Sequence, residues 1–107
     1  MSRTGTDPAV VFAALGDATR LALLRRLGGG ETQSIARLSD GTGLTRQAIT
    51  KHLAVLEGAG LVRRARAGRE SLYGIEPGAI GTARAYLDEV SAQWDDALDR
   101  LRRFVED

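Results

Sequence analysis

The chain of 107 residues has no cysteine, one histidine and one lysine. The missing cysteines exclude disulfides, thiolate metal ligands and thiol redox sensing within it. With His52 as the lone imidazole, a metal site would have to be built from carboxylates and that ring, or across a dimer. No apolar run approaches the roughly 20 residues that cross a bilayer, and the start, MSRTGTDPAVV, lacks the apolar core of a signal peptide. The expectation is a cytoplasmic protein with no membrane partner, no metal and no cofactor. Equipment for catalysis is also missing: there is no phosphate-cradling glycine loop, no thiol nucleophile and no evident Ser-His-Asp arrangement. Glu57 is the helical acid nearest His52, and one such pair on one helix is a weak basis for chemistry, so an enzyme is not expected.

What is present fits one folded domain, residues 1–107. Apolar residues make up 43 % of the chain, a globular proportion. A domain this small buries a moderate share of its surface and gains from a partner subunit. The formal charge is +1, unevenly spread. Residues 1–43 hold five basic and four acidic groups, residues 44–75 six and two, and residues 76–107 four and eight, giving balances of +1, +4 and −4. A basic centre beside an acidic end points to one face that meets a polyanion. Arginine supplies 14 of the 15 cations, so their clustering is more informative than their number, and the only lysine, Lys51, falls inside the cluster.

The spacing of apolar residues predicts five helices and a hairpin. Asp7 and Pro8 suit the start of a first helix, which Gly16 ends. Asp17 caps a second, with Leu21, Leu24 and Leu27 at helical spacing and Arg20, Arg25 and Arg26 on its polar side. Gly28–Gly30 stops it. Thr32 or Ser34 caps a brief third helix with Ile35 and Leu38 inward, and Gly41-Thr42-Gly43 closes it, with Leu44 expected as a buried plug. Thr45 caps a fourth helix in which Ile49, Leu53 and Leu56 face inward, and Gly58 and Gly60 end it. Leu61–Ala67 and Ser71–Ile75 read as strands joined at Gly68-Arg69. From Pro77, the residues Ile80, Ala83, Leu87, Val90, Trp94, Ala97, Leu101 and Phe104 recur at steps of three and four, a heptad seam. That last helix would be about 40 Å long.

The fold expected is mainly α with a small β-hairpin, in the order α-α-α-α-β-β-α. It is a winged helix-turn-helix with 34–57 as the helix-turn-helix and 61–75 as the wing. Such a motif seats its second helix in the major groove. Arg46 suits guanine, Gln47 adenine, and Thr50 several bases or a thymine methyl. Lys51 and His52 are expected on phosphates, and Thr45 aligns a helix N-terminus that favours one. Arg63, Arg64, Arg66 and Arg69 would follow the adjacent backbone, with Arg69 able to enter a minor groove.

The stretches ALGDATRLALLRRL and LTRQAITKHLAVLEGAGLVRRARAGRESLYGI resemble the ArsR family of bacterial winged-helix repressors over roughly residues 12–76. The matching features are an LxDxTRxxIL-type helix, a recognition helix with a His-Leu-xx-Leu core, an AGLV turn and an R-x-GR…Y wing. The resemblance implies a homodimer that binds double-stranded operator DNA and represses, often its own promoter. Family metal sensors carry a Cys pair on the helix before the recognition helix, or His/Asp pairs on the last helix. Here the third-helix region, ETQSIARLSD, has no Cys, and the last helix offers Asp88, Glu89, Asp95, Asp96 and Asp99 but no His. The chain is similar to the metal-independent branch, whose last helix bears a Trp followed by Leu-rich turns, as in YLDEVSAQWDDALDRLRRFVE. No inducer, small molecule or protein, follows from the resemblance.

The family dimerises through its first and last helices, here residues 8–15 and 77–105. That places Val10, Val11, Ala14, Leu87, Val90, Trp94, Leu98, Leu101 and Phe104 in the expected interface, with a flanking stripe at Tyr86, Leu98 and Val105. Two other readings stay open: a winged-helix protein–protein interaction module without DNA binding, and a repressor responding to metal through carboxylates.

Overall fold

The structure, a computed structural model, describes residues 7–106; the first six residues of the stretch MSRTGTDPAVV lie outside them. Eight elements follow in order: α1 (Pro8–Leu15), α2 (Ala18–Leu27), β1 (Gln33–Ser34), α3 (Ile35–Ser39), α4 (Arg46–Gly58), β2 (Val62–Ala67), β3 (Glu70–Ile75) and α5 (Pro77–Glu106). Each of the first four helices starts at a side-chain cap. Asp7 accepts from the N–H of Ala9, Asp17 from Arg20, Ser34 from Arg37 and Thr45 from Ala48, all at 3.0–3.2 Å. Such caps satisfy donors that helix geometry leaves orphaned and contribute about 1 kcal/mol each.

Ile49, Leu53 and Leu56 of α4 are fully buried, as their spacing requires, and pack with Val11, Leu23, Leu27, Leu38 and Leu61. At its C-terminus α4 closes in a Schellman arrangement, with Leu61 N donating to Leu56 O at 2.9 Å and Gly60 N to Glu57 O at 3.0 Å. This requires a left-handed residue at position 60, and Gly60 supplies it at φ 76°. The buried Leu61 is thereby driven against Leu56, which fixes where the wing leaves the helix.

The wing is larger than the expected hairpin. It is an antiparallel sheet of order β1-β3-β2, in which Gln33 and Ser34 pair with Tyr73 and Leu72. The third strand had no sequence signal because two residues carry no period, and Ser34 also caps α3. Leu44 is a second difference. It is 39 % exposed, not a buried plug. The turn is held instead by Thr42, whose Oγ1 donates to Ser39 O at 2.7 Å and accepts from Leu44 N at 3.0 Å.

Val11 and Ala14 are a third difference. Expected at a subunit seam, they lie inside the protomer at 0 % and 2 % exposure, and of the three residues expected there Val10 alone faces outward. The short helix packs against the start of α5, where the Phe12 and Tyr86 rings meet with centroids 5.8 Å apart. Within its own protomer α5 buries only Ala79 and Ala83. From Leu87 onward it projects from the body and shows Trp94, Leu98, Leu101, Phe104 and Val105 to solvent. At 100° per residue these join Leu87 in one apolar stripe, and the molecule measures 67 Å along its longest axis.

Candidate nucleic-acid interface

The inward set on α4 leaves Arg46, Gln47, Thr50 and Lys51 exposed on the opposite face. Thr45 Oγ1 accepts from Ala48 N at 3.0 Å, which keeps its hydroxyl proton available to an outside acceptor. Thr50 is more restricted. Its hydroxyl donates to Arg46 O at 2.8 Å, so it offers outward a methyl group and an acceptor lone pair, not a donor. At the helix start the N–H groups of the first turn point out with the positive end of the dipole, a setting suited to an anion.

Strand register decides what the wing presents. Arg64 and Arg66 share a face with Val62, opposite Tyr73 and Ser71, whereas Arg63 lies on the other face opposite Gly74. At the wing root Arg63 pairs with Glu76 at 3.3 Å and Arg64 approaches Glu57 at 4.0 Å. Such surface pairs are weak, but they partly neutralise these two arginines. Among the described residues, Arg46, Lys51, Arg66 and Arg69 have no carboxylate within 4 Å. The turn at Gly68, with φ 65°, carries Arg69 to the tip.

The recognition helix and the wing tip enclose an open groove of about 350 Å³. One wall is Arg46, Gln47 and Thr50, the other is Arg69, Glu70 and Ser71, and the start of α3 forms the floor. Arg66, across the sheet from Ser71, lies on this face too. The expected readers and the unpaired wing cations therefore border one surface. Sequence reading missed Glu70 and Ser71 as members of it, because wing residues join the site only through strand register.

His52 does not belong to that surface. Position 52 lies three residues after Ile49 and four before Leu56, which turns it toward the core. Its Nδ1 is 3.4 Å from Arg20 Nη1 and 3.8 Å from Asp17 Oδ2, so the expected phosphate contact is replaced by contacts to α2. The N–H of Arg20 above all, helped by the Arg20 guanidinium against an opposing effect of burial, holds the Asp17 carboxyl below its ordinary range. Arg20 and Arg26, which read as solvated, are structural. Arg20 binds carbonyls of α1, and Arg26 Nη1 donates to Leu38 O at 2.7 Å and Asp40 O at 2.9 Å, tying α2 to the end of α3. Among the described residues no cluster of three or more His, Cys, Asp or Glu could hold a metal ion, and no helix is long and apolar enough to cross a membrane.

Comparison with known proteins adds to this geometry. Residues 15–65 match the model of a helix-turn-helix domain. The HTH-type transcriptional regulator Rv2034 of Mycobacterium tuberculosis is 30 % identical over 103 residues, 96 % of this chain and 92 % of that protein. An ArsR-like transcriptional regulator from Rhodococcus sp. RHA1 superposes with a TM-score of 0.78 at 36 % identity, over 91 % of each chain. The homodimeric winged helix-turn-helix DNA-binding domain Mb0332 from Mycobacterium bovis, a possible ArsR-family regulator, matches with a TM-score of 0.61 at 30 % identity, over 79 % of this chain and 77 % of that one.

Proposed function

Because the chain belongs to the ArsR family of winged helix-turn-helix transcriptional regulators, we propose that it is a cytoplasmic homodimeric repressor of its own or neighbouring genes, released from DNA without a Cys/His metal site. The observation that carries this reading is the groove where Arg46, Gln47 and Thr50 face the wing tip. Arg46 would pair with guanine and Gln47 with adenine, while Thr50 would contact a thymine methyl or accept from a base amine. Arg66 and Arg69 would follow the flanking backbone and minor groove, Lys51 and the Thr45-capped helix start would take phosphates, and Arg64 would contribute where a phosphate displaces Glu57 from it. Two cations without a carboxylate within 4 Å, Arg46 and Arg69, line the groove, and two more, Lys51 and Arg66, lie on the adjoining helix and wing, which favours a polyanion over an interaction module without DNA binding.

The homodimer rests on the uncovered stripe of α5, with Leu87, Trp94, Leu98, Leu101 and Phe104 exposed, Val90 half-buried and Val10 beside it on α1. The M. bovis neighbour is described as homodimeric, and the same arrangement here would present two recognition helices about one DNA turn apart. Metal independence rests on composition: there is no thiol, and the one imidazole is engaged by Arg20 and Asp17. Selection from random duplexes at physiological salt should return a two-fold symmetric site bound about a thousandfold or more above bulk DNA. Recovery of no preferred duplex would refute the reading.

A further inference from the structure

Asp17, Arg20 and His52 form a cluster that the DNA-reading surface does not use, although His52 belongs to the recognition helix. Arg20 reaches back to the preceding helix. Its Nε donates to Ala14 O at 2.6 Å and its Nη2 to Ala13 O at 3.3 Å. These carbonyls end α1 and carry the negative end of its dipole; Ala13 O also accepts from Gly16 N at 3.2 Å, which leaves Ala14 O as the one that depends on Arg20. The third arm, Nη1, lies 3.4 Å from His52 Nδ1. A guanidinium only donates, so this hydrogen bond requires Nδ1 to be an unprotonated acceptor. Asp17 Oδ2, which caps α2 by accepting from Arg20 N at 3.0 Å, stands 3.8 Å from the same ring nitrogen. Arg20 therefore spans from α1, which packs along α5, to the helix that carries the readers.

We propose that Arg20 and His52 are positioning residues through which α1 sets the seating of the recognition helix, and that protonation of His52 breaks the link. The inference rests on the DNA-binding reading above. A protonated Nδ1 cannot accept from Arg20, and the two positive groups repel. The ring then turns to Asp17 and competes for the oxygen that caps α2. Few other charges face this ring. Within α1 no residue from Pro8 to Leu15 is charged; on α2 Arg25 is exposed and Arg26 is held by Leu38 O and Asp40 O; Arg37 of α3 is exposed, and Arg64 of β2 approaches Glu57 at 4.0 Å. On α4 itself, Lys51 points to the reading face and Glu57 lies toward the wing root. Histidine is the side-chain type whose charge changes between about pH 5 and 8, and that is the range over which the link is tested.

The sign separates this device from general electrostatics. Acidification makes any protein more positive and strengthens its hold on a polyanion; loss of the link weakens it. Binding of the full-length protein to a selected duplex, followed by fluorescence anisotropy at constant ionic strength, tests the two. From pH 8 to 5.5 the wild-type affinity should fall about fivefold or more. In His52→Gln, whose side-chain carbonyl accepts from Arg20 and does not titrate, the fall should vanish. Arg20→Lys keeps the charge but not the three-way fork. It should bind more weakly at pH 8 and show no fall, with circular dichroism reporting that it is folded; should it not fold, His52→Gln decides alone. Wild-type affinity that rises or stays level on acidification overturns the link, as does the same fall in His52→Gln. A wild type that binds no duplex at any pH refutes the DNA-binding reading instead.

Discussion

Arg46 and Lys51 are both exposed cations on the recognition helix, yet their positions assign them different work. Arg46 lies in the first turn and lines the groove, where a guanidinium can pair bidentately with a guanine edge. Lys51 lies a turn further along and presents a point charge. Arg46→Ala should therefore cost about 1–3 kcal/mol and relax preference at a single base pair. Lys51→Ala should weaken all duplexes alike and lower the salt slope by about one. Binding isotherms across salt concentrations and across single-base variants of the selected site check both. The chemistry of these residues was legible in the sequence because outward polar groups at helix spacing define a face. His52 was misplaced by the same means: its chemistry suggested phosphate, whereas its place between Ile49 and Leu56 in the helical period turns it toward α2. Residue type suggests what a side chain can do, and the period decides where it points.

The recognition helix is held at both ends by devices that sequence could show in part. Thr45 caps the start, and the Gly60 turn with the buried Leu61 fixes the end. Thr45→Ala removes the acceptor for Ala48 N and should lower stability by about 1 kcal/mol, seen as a reduced midpoint in thermal denaturation. A larger loss of DNA affinity than the fraying accounts for would reveal a phosphate at that hydroxyl. The cap was readable from a Thr before an apolar period, and so were Ile49, Leu53 and Leu56, because the period runs over several turns. The third strand of the wing was not. Gln33 and Ser34 become a strand only because β3 passes beside them, a contact between segments nearly 40 residues apart in the chain. Leu44 fell to a related limit: hydrophobicity alone suggested burial, while the turn is closed by the Thr42 hydroxyl.

For the whole molecule, the proposed reading puts DNA binding on the α4–wing surface and assembly on the exposed stripe of α5. Trp94, 63 % exposed, sits midway along the stripe of α5. Trp94→Asp should leave the protomer folded and shift it to a monomer in analytical ultracentrifugation. Losing the second half-site should then cost about a hundredfold or more in operator affinity. The heptad spacing made the stripe legible; what it could not reveal was that Val11 and Ala14 are taken up by the protomer's own core, which leaves Val10 alone of the three facing outward. The length of α5 has a further consequence, for turnover. Most helical stability in proteins comes from tertiary packing, and from Leu87 onward α5 buries no residue within its own protomer. A protomer without a partner would expose a fraying apolar tail of the kind that proteases and chaperones engage first. Pairing would then govern lifetime as well as occupancy: unpaired chains would be cleared, paired ones would persist, and the standing amount of regulator would be set by how readily it finds itself.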